Sequence, residues 1–293
     1  MLPPNRIWVY TIAYNESHFV KNLLAAYEGA EKIIVYDNMS TDNTVELLKE
    51  SPKVEIRPYD SGGEVRDDLY LEIKNNCWKE AKGRADWVVI VDFDEVVNRV
   101  RMVDGNIIYD MDFTDAFHND WNIIQPLGYL LISIEAPLYV EGHPSIYANR
   151  GIYHPSSSKM CCFRPEMISE INYEAGCHDA MPIDDHGGQE GLRILTDENY
   201  KLLHYKFWNV ERYLKRVPLM QARMSKQNEK NGWGWHYLSP LAEHYSMFVN
   251  GYDISKPLFE ITASDADFEK INLYIKNDLG KYRGLVHISK SLF

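Results

Sequence analysis

Two aspartates, Asp92 and Asp94, stand two residues apart directly after the apolar run 87–91. In an extended chain, residues two apart point to the same side, so both carboxylates are expected to face one point. Carboxylates at the mouth of an apolar strand are costly unless a cation neutralises them. Mg²⁺ and Mn²⁺ commonly bind through one or two carboxylates plus substrate phosphates. The pair therefore predicts a divalent-metal site. The alternative is a solvated turn.

The run 87–91 is the fourth of a series of short apolar segments, after 7–13, 32–36 and 54–58. Between them the apolar residues recur with helical spacing, as in the stretch after Asn15, which we expect to be the N-cap of a helix. This alternation is typical of a doubly wound α/β domain. A strand that is apolar throughout is expected to be buried on both faces of a parallel sheet.

Polar residues cluster where three of these strands end, at 14–16, 37–42 and 92–95. In open α/β sheets, ligands bind beyond the carboxyl ends of the strands. The three clusters are therefore expected to meet and to form one ligand site at this edge of the sheet.

Beyond residue 100 the pattern is weaker. The remaining strand candidates are 122–134, 160–163, 172–177 and 202–207. Residues 210–230 have helical character, although Pro218 should kink such a helix. We expect residues 1–208 to form the main domain, in two halves, 1–97 and 98–208. Residues 209–293 are expected to form a mainly helical C-terminal extension packed on that domain.

Composition narrows the functional classes. The chain has 293 residues and a formal net charge of −12, which disfavours nucleic acid as the main partner. No stretch approaches the roughly 20 apolar residues that a transmembrane helix needs. The N-terminus lacks the features of a signal peptide, and the four cysteines form no CxxC pair, so we expect reduced thiols and a cytoplasmic protein. Neither the N-terminal residues nor the spacing of the cysteines indicates the oligomeric state.

Three motifs carry a family resemblance: Thr-Ile-Ala-Tyr-Asn-Glu at 11–16, Tyr-Asp-Asn-Met-Ser-Thr-Asp at 36–42, and Val-Asp-Phe-Asp-Glu at 91–95. In combination they resemble a family 2-type glycosyltransferase, in particular the branch related to glycosyltransferase family 92. Looser matches lie at 159–165 with 176–178, and at 203–206. Residues after about 232 match nothing in this family.

The resemblance implies a GT-A fold, a Rossmann-like mixed sheet flanked by helices. In this fold residues 1–97 would be the nucleotide-sugar-binding half of the domain and residues 98–208 the acceptor-side half. It also implies a nucleoside-diphosphate sugar as donor, with uridine diphosphate as the default, and a glycan or other hydroxyl acceptor. Mn²⁺ or Mg²⁺ would neutralise the charge that develops on the leaving diphosphate. Inversion at the transferred sugar is implied by the family alone.

The resemblance also suggests site residues. Metal ligands would be Asp92 and Asp94, with His204 or His178 as a third, although a lone histidine is often only a structural hydrogen-bonding residue. Residues expected to contact the donor are Thr11, Ala13, Asn15, Glu16, Asp37, Asn38, Arg66, Asp92, Phe93 and Lys206. Candidates for the general base on the acceptor hydroxyl are Asp179, Glu174 and Asp120. Candidates for stacking on sugar rings, with core packing as the alternative for each, are Trp121, Trp233, Trp235 and Tyr237.

Four other readings compete with this one. A nucleotidyltransferase would need a glycine-rich loop after the first strand, where the sequence has Ala13-Tyr14-Asn15-Glu16, and a dehydrogenase would need G-x-G-x-x-G there. The histidines and aspartates of residues 178–186 could suggest a hydrolase metal site, but their spacing matches no known ligand pattern. The non-enzymatic reading is a degenerate carbohydrate-binding module, against which the intact aspartate pair counts.

Overall fold

A computed structural model of the chain describes residues 6–134, 136–137 and 142–258. Within the predicted C-terminal extension, residues 259–293 lie outside this described part. The strands are β1 (Ile7–Ala13), β2 (Lys32–Asp37), β3 (Val54–Pro58), β4 (Trp87–Asp92), β5 (Glu95–Val103), β6 (Asn106–Asp110), β7 (Ile123–Ile124), β8 (Leu127–Ile132), β9 (Arg150–Tyr153), β10 (Cys162–Phe163), β11 (Ile168–Glu170), β12 (Ile183–Asp184), β13 (Ile194–Leu195), β14 (Tyr200–Phe207) and β15 (Lys256–Pro257). The helices are α1 (Val20–Ala26), α2 (Thr44–Leu48), α3 (Asp67–Asn76), α4 (Thr114–His118), α5 (Val210–Ala222), α6 (Lys226–Asn231) and α7 (Leu241–Ile254), with short 3₁₀ turns between them.

The first sheet has the strand order β13-β7-β10-β4-β1-β2-β3. Strands β1 to β4 are mutually parallel where they pair, and Ile12 of β1 lies beside Asp92 of β4. Strand β10 runs antiparallel to both β4 and β7, so β7 has the same direction as β4. The carboxyl ends of β1, β2 and β4 therefore share one edge, as the polar clusters predict.

The second sheet has the order β15-β9-β8-β14-β5-β6. Its strand β5 begins at Glu95, only three residues after β4 ends at Asp92, so the chain passes from one sheet to the other through a single tight turn. Phe93 of this turn is buried in the same apolar core as Val96 and Val97 of β5. This core anchors the turn between the two sheets and fixes where the neighbouring carboxylates lie.

The predicted fold class is confirmed, since helices flank a mixed α/β sheet and the described part of the C-terminal region is mainly helical (α5–α7). The predicted strands 7–13, 32–36, 54–58 and 87–91 are all present, extended by at most one residue. All four cysteines are buried and free, as expected. None of the described helices is long and apolar enough to cross a membrane.

Several local predictions are wrong for physical reasons. Residues 172–177 form a turn and not a strand, because Gly176 and Cys177 adopt left-handed backbone angles (φ 81° and 54°) that no strand accommodates. The predicted helix 210–230 is interrupted between α5 and α6, where Ser225 caps the second helix through the N–H of Asn228. The predicted strand 122–134 divides into β7 and β8, and the β5–β6 hairpin was not predicted.

Gly128, in β8, offers a test of how closely the second sheet is packed. A Cβ at this position would lie 2.3 Å from the carbonyl carbon of Ser157, a backbone atom that cannot move aside cheaply. We expect Gly128→Ala to lower the free energy of unfolding in urea by about 1–3 kcal/mol. Gly188→Ala is the matched control, because its nearest neighbouring atoms are 4.0 Å away. Equal stabilities of the two variants would contradict this packing.

Candidate functional site

Asp92, the last residue of β4, is held by two lysines. Lys74 of α3 forms an ion pair with Oδ1, and the Lys159 Nζ lies 3.0 Å from Oδ2. Both lysine side chains are almost fully buried, whereas the Asp92 side chain is 42% exposed. Burial alone would raise the pKa of Asp92, but Lys159 and Lys74 hold it well below its usual value. Asp92 is therefore an anion whose charge is already compensated.

Glu95, the first residue of β5, is completely buried and completes this arrangement. Its Oε1 lies 2.6 Å from the Nζ of Lys159, and its Oε2 accepts the backbone N–H of Asp92 at 3.0 Å. Two lysines thus face two carboxylates across the turn between the sheets. We call Lys74, Asp92, Glu95 and Lys159 the four-charge cluster.

Asp94 has a different environment. Its nearest basic group is the imidazole of His204 on β14, whose Nε2 lies 3.6 Å from Oδ1, and the backbone N–H of Tyr205 donates to its carbonyl at 2.8 Å. Burial would raise the pKa of Asp94, but His204 and then Arg216 hold it below its usual value. Among the described residues, no lysine or arginine forms an ion pair with this carboxylate.

His204 and His178, the two candidates for a third metal ligand, lie on different sides of the site. His204 contacts Asp94, and its buried Nδ1 has no hydrogen-bond partner in the described part of the chain. His178 instead hydrogen-bonds through Nδ1 to the Ser156 carbonyl at 2.5 Å, and burial, with Lys159 nearby, lowers its pKa to about 3. Within the described ranges, no group of three or more His, Cys, Asp or Glu side chains is placed to hold a metal ion.

The ends of β1 and β2 carry buried polar atoms that lack partners. Thr11 Oγ1 and Asp37 Oδ1 make no hydrogen bond with any described residue. The other carboxylate oxygen of Asp37 accepts the N–H of Ser40 at 3.0 Å, and the Ala13 carbonyl accepts the N–H of Asn38 at 2.9 Å. Because an unsatisfied buried polar atom costs free energy, these two atoms mark a place where a polar ligand would be stabilised.

Asn15 and Asn38, two residues predicted to contact the donor, form hydrogen bonds with residues of other loops. Asn15 does not cap α1, which begins at Val20. Its backbone is left-handed (φ 54°), and its Oδ1 accepts the N–H of Thr41 at 2.7 Å, which ties the β1 loop to the β2 loop. The Asn38 side chain is bonded in both directions to Ser61, at 2.9 and 3.0 Å. Their side chains therefore already have protein partners.

Glu16 and Arg66 are also engaged by the protein. Glu16 is buried, and its carboxylate pairs with Arg216 at 2.9 Å and Arg212 at 3.1 Å, both on α5. Arg66 precedes α3 and makes a bidentate pair with Asp68, at 2.6 and 2.8 Å. The Phe93 side chain, buried in the core, is likewise directed away from the ligand edge.

Lys206, two residues after His204 on β14, carries a cation with no ion pair or hydrogen bond in the described part of the chain. Burial lowers its pKa to about 8, although the charge of Asp94 acts in the opposite direction. Its Nζ lies 5.8 Å from the ring centre of Tyr237, which brings the C-terminal region to the same place. The structure therefore groups Asp94, His204, Lys206 and Tyr237.

The three candidate bases are placed differently. Asp120 precedes β7, which runs in the direction of β4, so it lies at the edge of the sheet opposite to Asp92. Trp121 lies at that edge too, under Arg193. Glu174 and Asp179 are exposed and flank the turn that carries His178, where the Glu174 N–H donates to the Asp179 carbonyl at 3.0 Å. The structure therefore does not bring Asp120, a candidate base predicted from the sequence, to the ligand edge.

Lys74, Asp67 and Arg216 are among the charged residues at the site that sequence reasoning missed. Lys74 lies on the apolar stripe of α3, four residues after Tyr70 and three before Cys77, and a lysine in such a position signals a buried partner. Asp67, at the start of α3, is half-buried, and burial together with the charge of Asp92 raises its pKa to about 6. For Arg216 no sequence signal is available, because its partner Glu16 belongs to a distant loop.

Comparison with protein families gives one match. Residues 11–130 match glycosyltransferase family 92. The range includes all three motifs on which the resemblance rests, at 11–16, 36–42 and 91–95, and the match confirms that resemblance for this part of the chain. No curated protein matches the sequence.

Two solved structures of glucosyl-3-phosphoglycerate synthase from Mycobacterium tuberculosis are similar to the chain. One, in complex with Mn²⁺, uridine diphosphate and glucosyl-3-phosphoglycerate, has 13% identity and a TM-score of 0.35, and the match covers 66% of this chain and 70% of that chain. The other, in complex with Mn²⁺, UDP-glucose and phosphoglyceric acid, has 12% identity, a TM-score of 0.34 and the same coverage. Similarity at this level supports no inference about activity.

The four-charge cluster generates a stability prediction. Asp92→Asn would leave Lys159 paired with Glu95 alone and would leave Lys74 without an ion-pair partner among the described residues. Breaking a fully buried pair costs about 3–5 kcal/mol, and because Asp92 is partly solvated we expect a loss of about 1–3 kcal/mol in urea unfolding. Asp115→Asn, which breaks an exposed pair with Arg99, should cost less than about 1 kcal/mol. A loss for Asp92→Asn no larger than for this control would show that the cluster does not stabilise the fold.

Proposed function

We propose that this chain is a metal-dependent glycosyltransferase that moves a sugar from a nucleoside-diphosphate sugar, with uridine diphosphate as the default, to a hydroxyl group of a glycan or another acceptor. One observation carries the proposal. Of the two aspartates in the D-x-D segment, Asp94 has no lysine or arginine partner among the described residues and lies beside the imidazole of His204. It does so within a segment that matches glycosyltransferase family 92.

The residues at Asp94 fit a divalent cation that is completed by its substrate. A carboxylate oxygen and an imidazole nitrogen 3.6 Å apart are farther apart than a hydrogen bond allows, and both are suitable ligands for Mn²⁺. Two protein ligands are too few for a closed site, but ions of this kind commonly take their remaining ligands from substrate phosphates and water. Asp94 and His204 would hold the ion, and Asp92 would act mainly by fixing the turn. When bound, the ion would supply Lewis-acid stabilisation of the leaving diphosphate.

The donor nucleotide is proposed to lie against the ends of β1 and β2. The unpartnered Asp37 Oδ1 and Thr11 Oγ1 are suited to hydrogen-bond a base or a ribose. Lys206, whose ammonium has no protein partner in the described part of the chain, would contact the diphosphate. A lysine is a compact point charge, which suits it to phosphate oxygens.

The acceptor hydroxyl needs a base to remove its proton as it attacks the sugar. Asp179 and Glu174 stay predictions for this role. Asp67 is a third candidate, because a carboxyl group with a pKa of about 6 beside Asp92 is close to the operating range of a general base. Inversion at the sugar, and a role in polysaccharide biosynthesis, rest on the family resemblance alone.

The rival hydrolase site is explained by local structure. In the polar loop after β12, the Asp184 carboxylate accepts the backbone N–H groups of His186, Gly188 and Gly191 at 2.9–3.1 Å. Its oxygens are therefore used to shape the loop, and the His186 side chain is 86% exposed. This pattern favours a structural loop over a metal centre. The domain division at residue 208 and the cytoplasmic location stay predictions.

Calorimetric titration of nucleotides would test the proposal. We expect one nucleoside diphosphate from a panel of UDP, GDP, ADP and dTDP to bind in Mn²⁺ and to lose affinity in EDTA. Asp94→Asn keeps the shape of the side chain but removes its charge, and it should weaken binding in Mn²⁺ by at least about 10-fold. Slow hydrolysis of the matching nucleotide-sugars would then identify the sugar.

Asp185→Asn is the matched control, since Asp185 belongs to the polar loop beside His186. It should bind like the wild type. Binding that ignores both EDTA and Asp94→Asn would refute the metal-dependent donor site, and a loss of Mn²⁺ dependence in Asp185→Asn alone would favour the hydrolase reading.

A further inference from the structure

Three basic side chains lie close to the acidic motifs of the site without belonging to the four-charge cluster. Arg212 and Arg216 of α5 pair with Glu16, and Lys206, two residues after His204 on β14, forms no ion pair with any described residue. The chain as a whole has a net charge of −12, so three basic side chains at the ligand edge are not a consequence of composition. Basic side chains in such a place are suited to an anionic ligand.

Glu16 is the residue that holds the two arginines in place. Its Oε1 lies 2.9 Å from Arg216 and its Oε2 lies 3.1 Å from Arg212, one turn apart on α5. The backbone N–H of Glu16 is itself fixed by the Thr44 hydroxyl at 2.8 Å. The Glu16 side chain is 4% exposed, so its carboxylate is enclosed by protein and directed at the helix. A donor molecule at the end of β1 would therefore meet a carboxylate that is already occupied.

Arg216 is the more open of the two arginines. Its side chain is 33% exposed, compared with 15% for Arg212, and the pair with Glu16 uses only part of its guanidinium group, which has five N–H donors. Glu16 follows the end of β1 at the ligand edge, so the 2.9 Å pair with its carboxylate places the Arg216 guanidinium at that edge as well. The N–H groups that this pair leaves unused are therefore available to a ligand at the end of β1.

We propose that Arg216 binds the diphosphate of the donor together with Lys206, and that Glu16 is a positioning residue for Arg216 and does not contact the nucleotide. This inference rests on the proposed function, and it identifies a residue that would contact the leaving diphosphate. The sequence predicts that Glu16 contacts the donor, whereas this inference makes Glu16 a residue that positions Arg216. The inference also places α5, which lies outside the matched segment 11–130, in the donor site.

The reaction explains why a fixed guanidinium is useful there. The bond between the anomeric carbon of the sugar and the terminal phosphate oxygen breaks, and its electron pair stays on that oxygen. The acceptor oxygen forms the new bond to the anomeric carbon, and its proton passes to the base. Negative charge therefore grows on the diphosphate, and preorganised donors directed at it stabilise the transition state more than the ground state.

The test compares nucleoside diphosphates with the matching monophosphates. Dissociation constants of UDP and UMP, and of GDP, ADP and dTDP with their monophosphates, would be measured in Mn²⁺ for the wild type and for Arg216→Met, Arg216→Lys and Glu16→Gln. The matched control is Lys215→Met, because Lys215 is the adjacent residue of α5 and is 72% exposed in a surface pair with Glu211. Thermal unfolding of each variant would be followed in parallel.

For Arg216→Met we expect diphosphate affinity to fall by about 10- to 100-fold, the effect of a lost charge-assisted hydrogen bond, with monophosphate affinity changed by less than about 3-fold. Arg216→Lys should fall between Arg216→Met and the wild type, and Lys215→Met should match the wild type. Glu16→Gln should lower only the diphosphate affinity. Because the diphosphate-to-monophosphate ratio is measured on folded protein, a loss of stability alone would not move it.

Two results would overturn the inference and are distinguishable. If the wild type binds no nucleoside diphosphate, the proposed function fails and the inference fails with it. If the wild type binds but Arg216→Met and Arg216→Lys keep its diphosphate-to-monophosphate ratio, the donor site stands and Arg216 has no part in it. If Glu16→Gln lowered the affinities for diphosphate and monophosphate equally, Glu16 would be assigned a direct contact with the nucleotide, as predicted from the sequence.

Discussion

The four-charge cluster is the constraint on which the rest of the site depends. It joins four separate elements: α3 through Lys74, β4 through Asp92, β5 through Glu95, and the approach to β10 through Lys159. Three of its members are nearly inaccessible to water, so each charge is tolerated only because an opposite charge is beside it. The cluster therefore fixes the turn between the two sheets together with the apolar packing of Phe93.

The cluster also separates the two aspartates of the D-x-D segment. The same-side argument for residues two apart assumes an extended chain, but the strand ends at Asp92 and the chain turns before β5. Asp92 consequently faces the lysines, whereas Asp94 faces His204 across the second sheet. Under the proposed function, one carboxylate and one imidazole would form an open ligand set, and metal affinity would then depend on the phosphates of the substrate. Metal and donor would bind as one unit.

The parts of the fold that depend on a local sequence pattern can be predicted from the sequence. Strands β1 to β4 follow from apolar runs, and their shared edge follows from the parallel topology. Pairings between distant residues are not encoded locally: Lys74 and Lys159 lie 18 and 67 residues from Asp92, and Arg212 lies 196 residues from Glu16. The turn at 172–177 also escaped prediction, because the left-handed backbone angles of Gly176 and Cys177 are set by the folded structure and not by an apolar pattern in the sequence.

These long-range pairs bear on the boundary predicted at residue 208. Contacts between the N-terminal half and the region beyond that boundary include Glu16 with Arg212 and Arg216, Val65 with Arg223 through a backbone hydrogen bond of 2.7 Å, and Asp67 with Asn228 at 3.0 Å. These contacts start from loops or helix ends at the ligand edge. Helices α5 and α6 therefore lie beside the candidate site. The proposed site thus includes residues from both sides of the boundary predicted at residue 208.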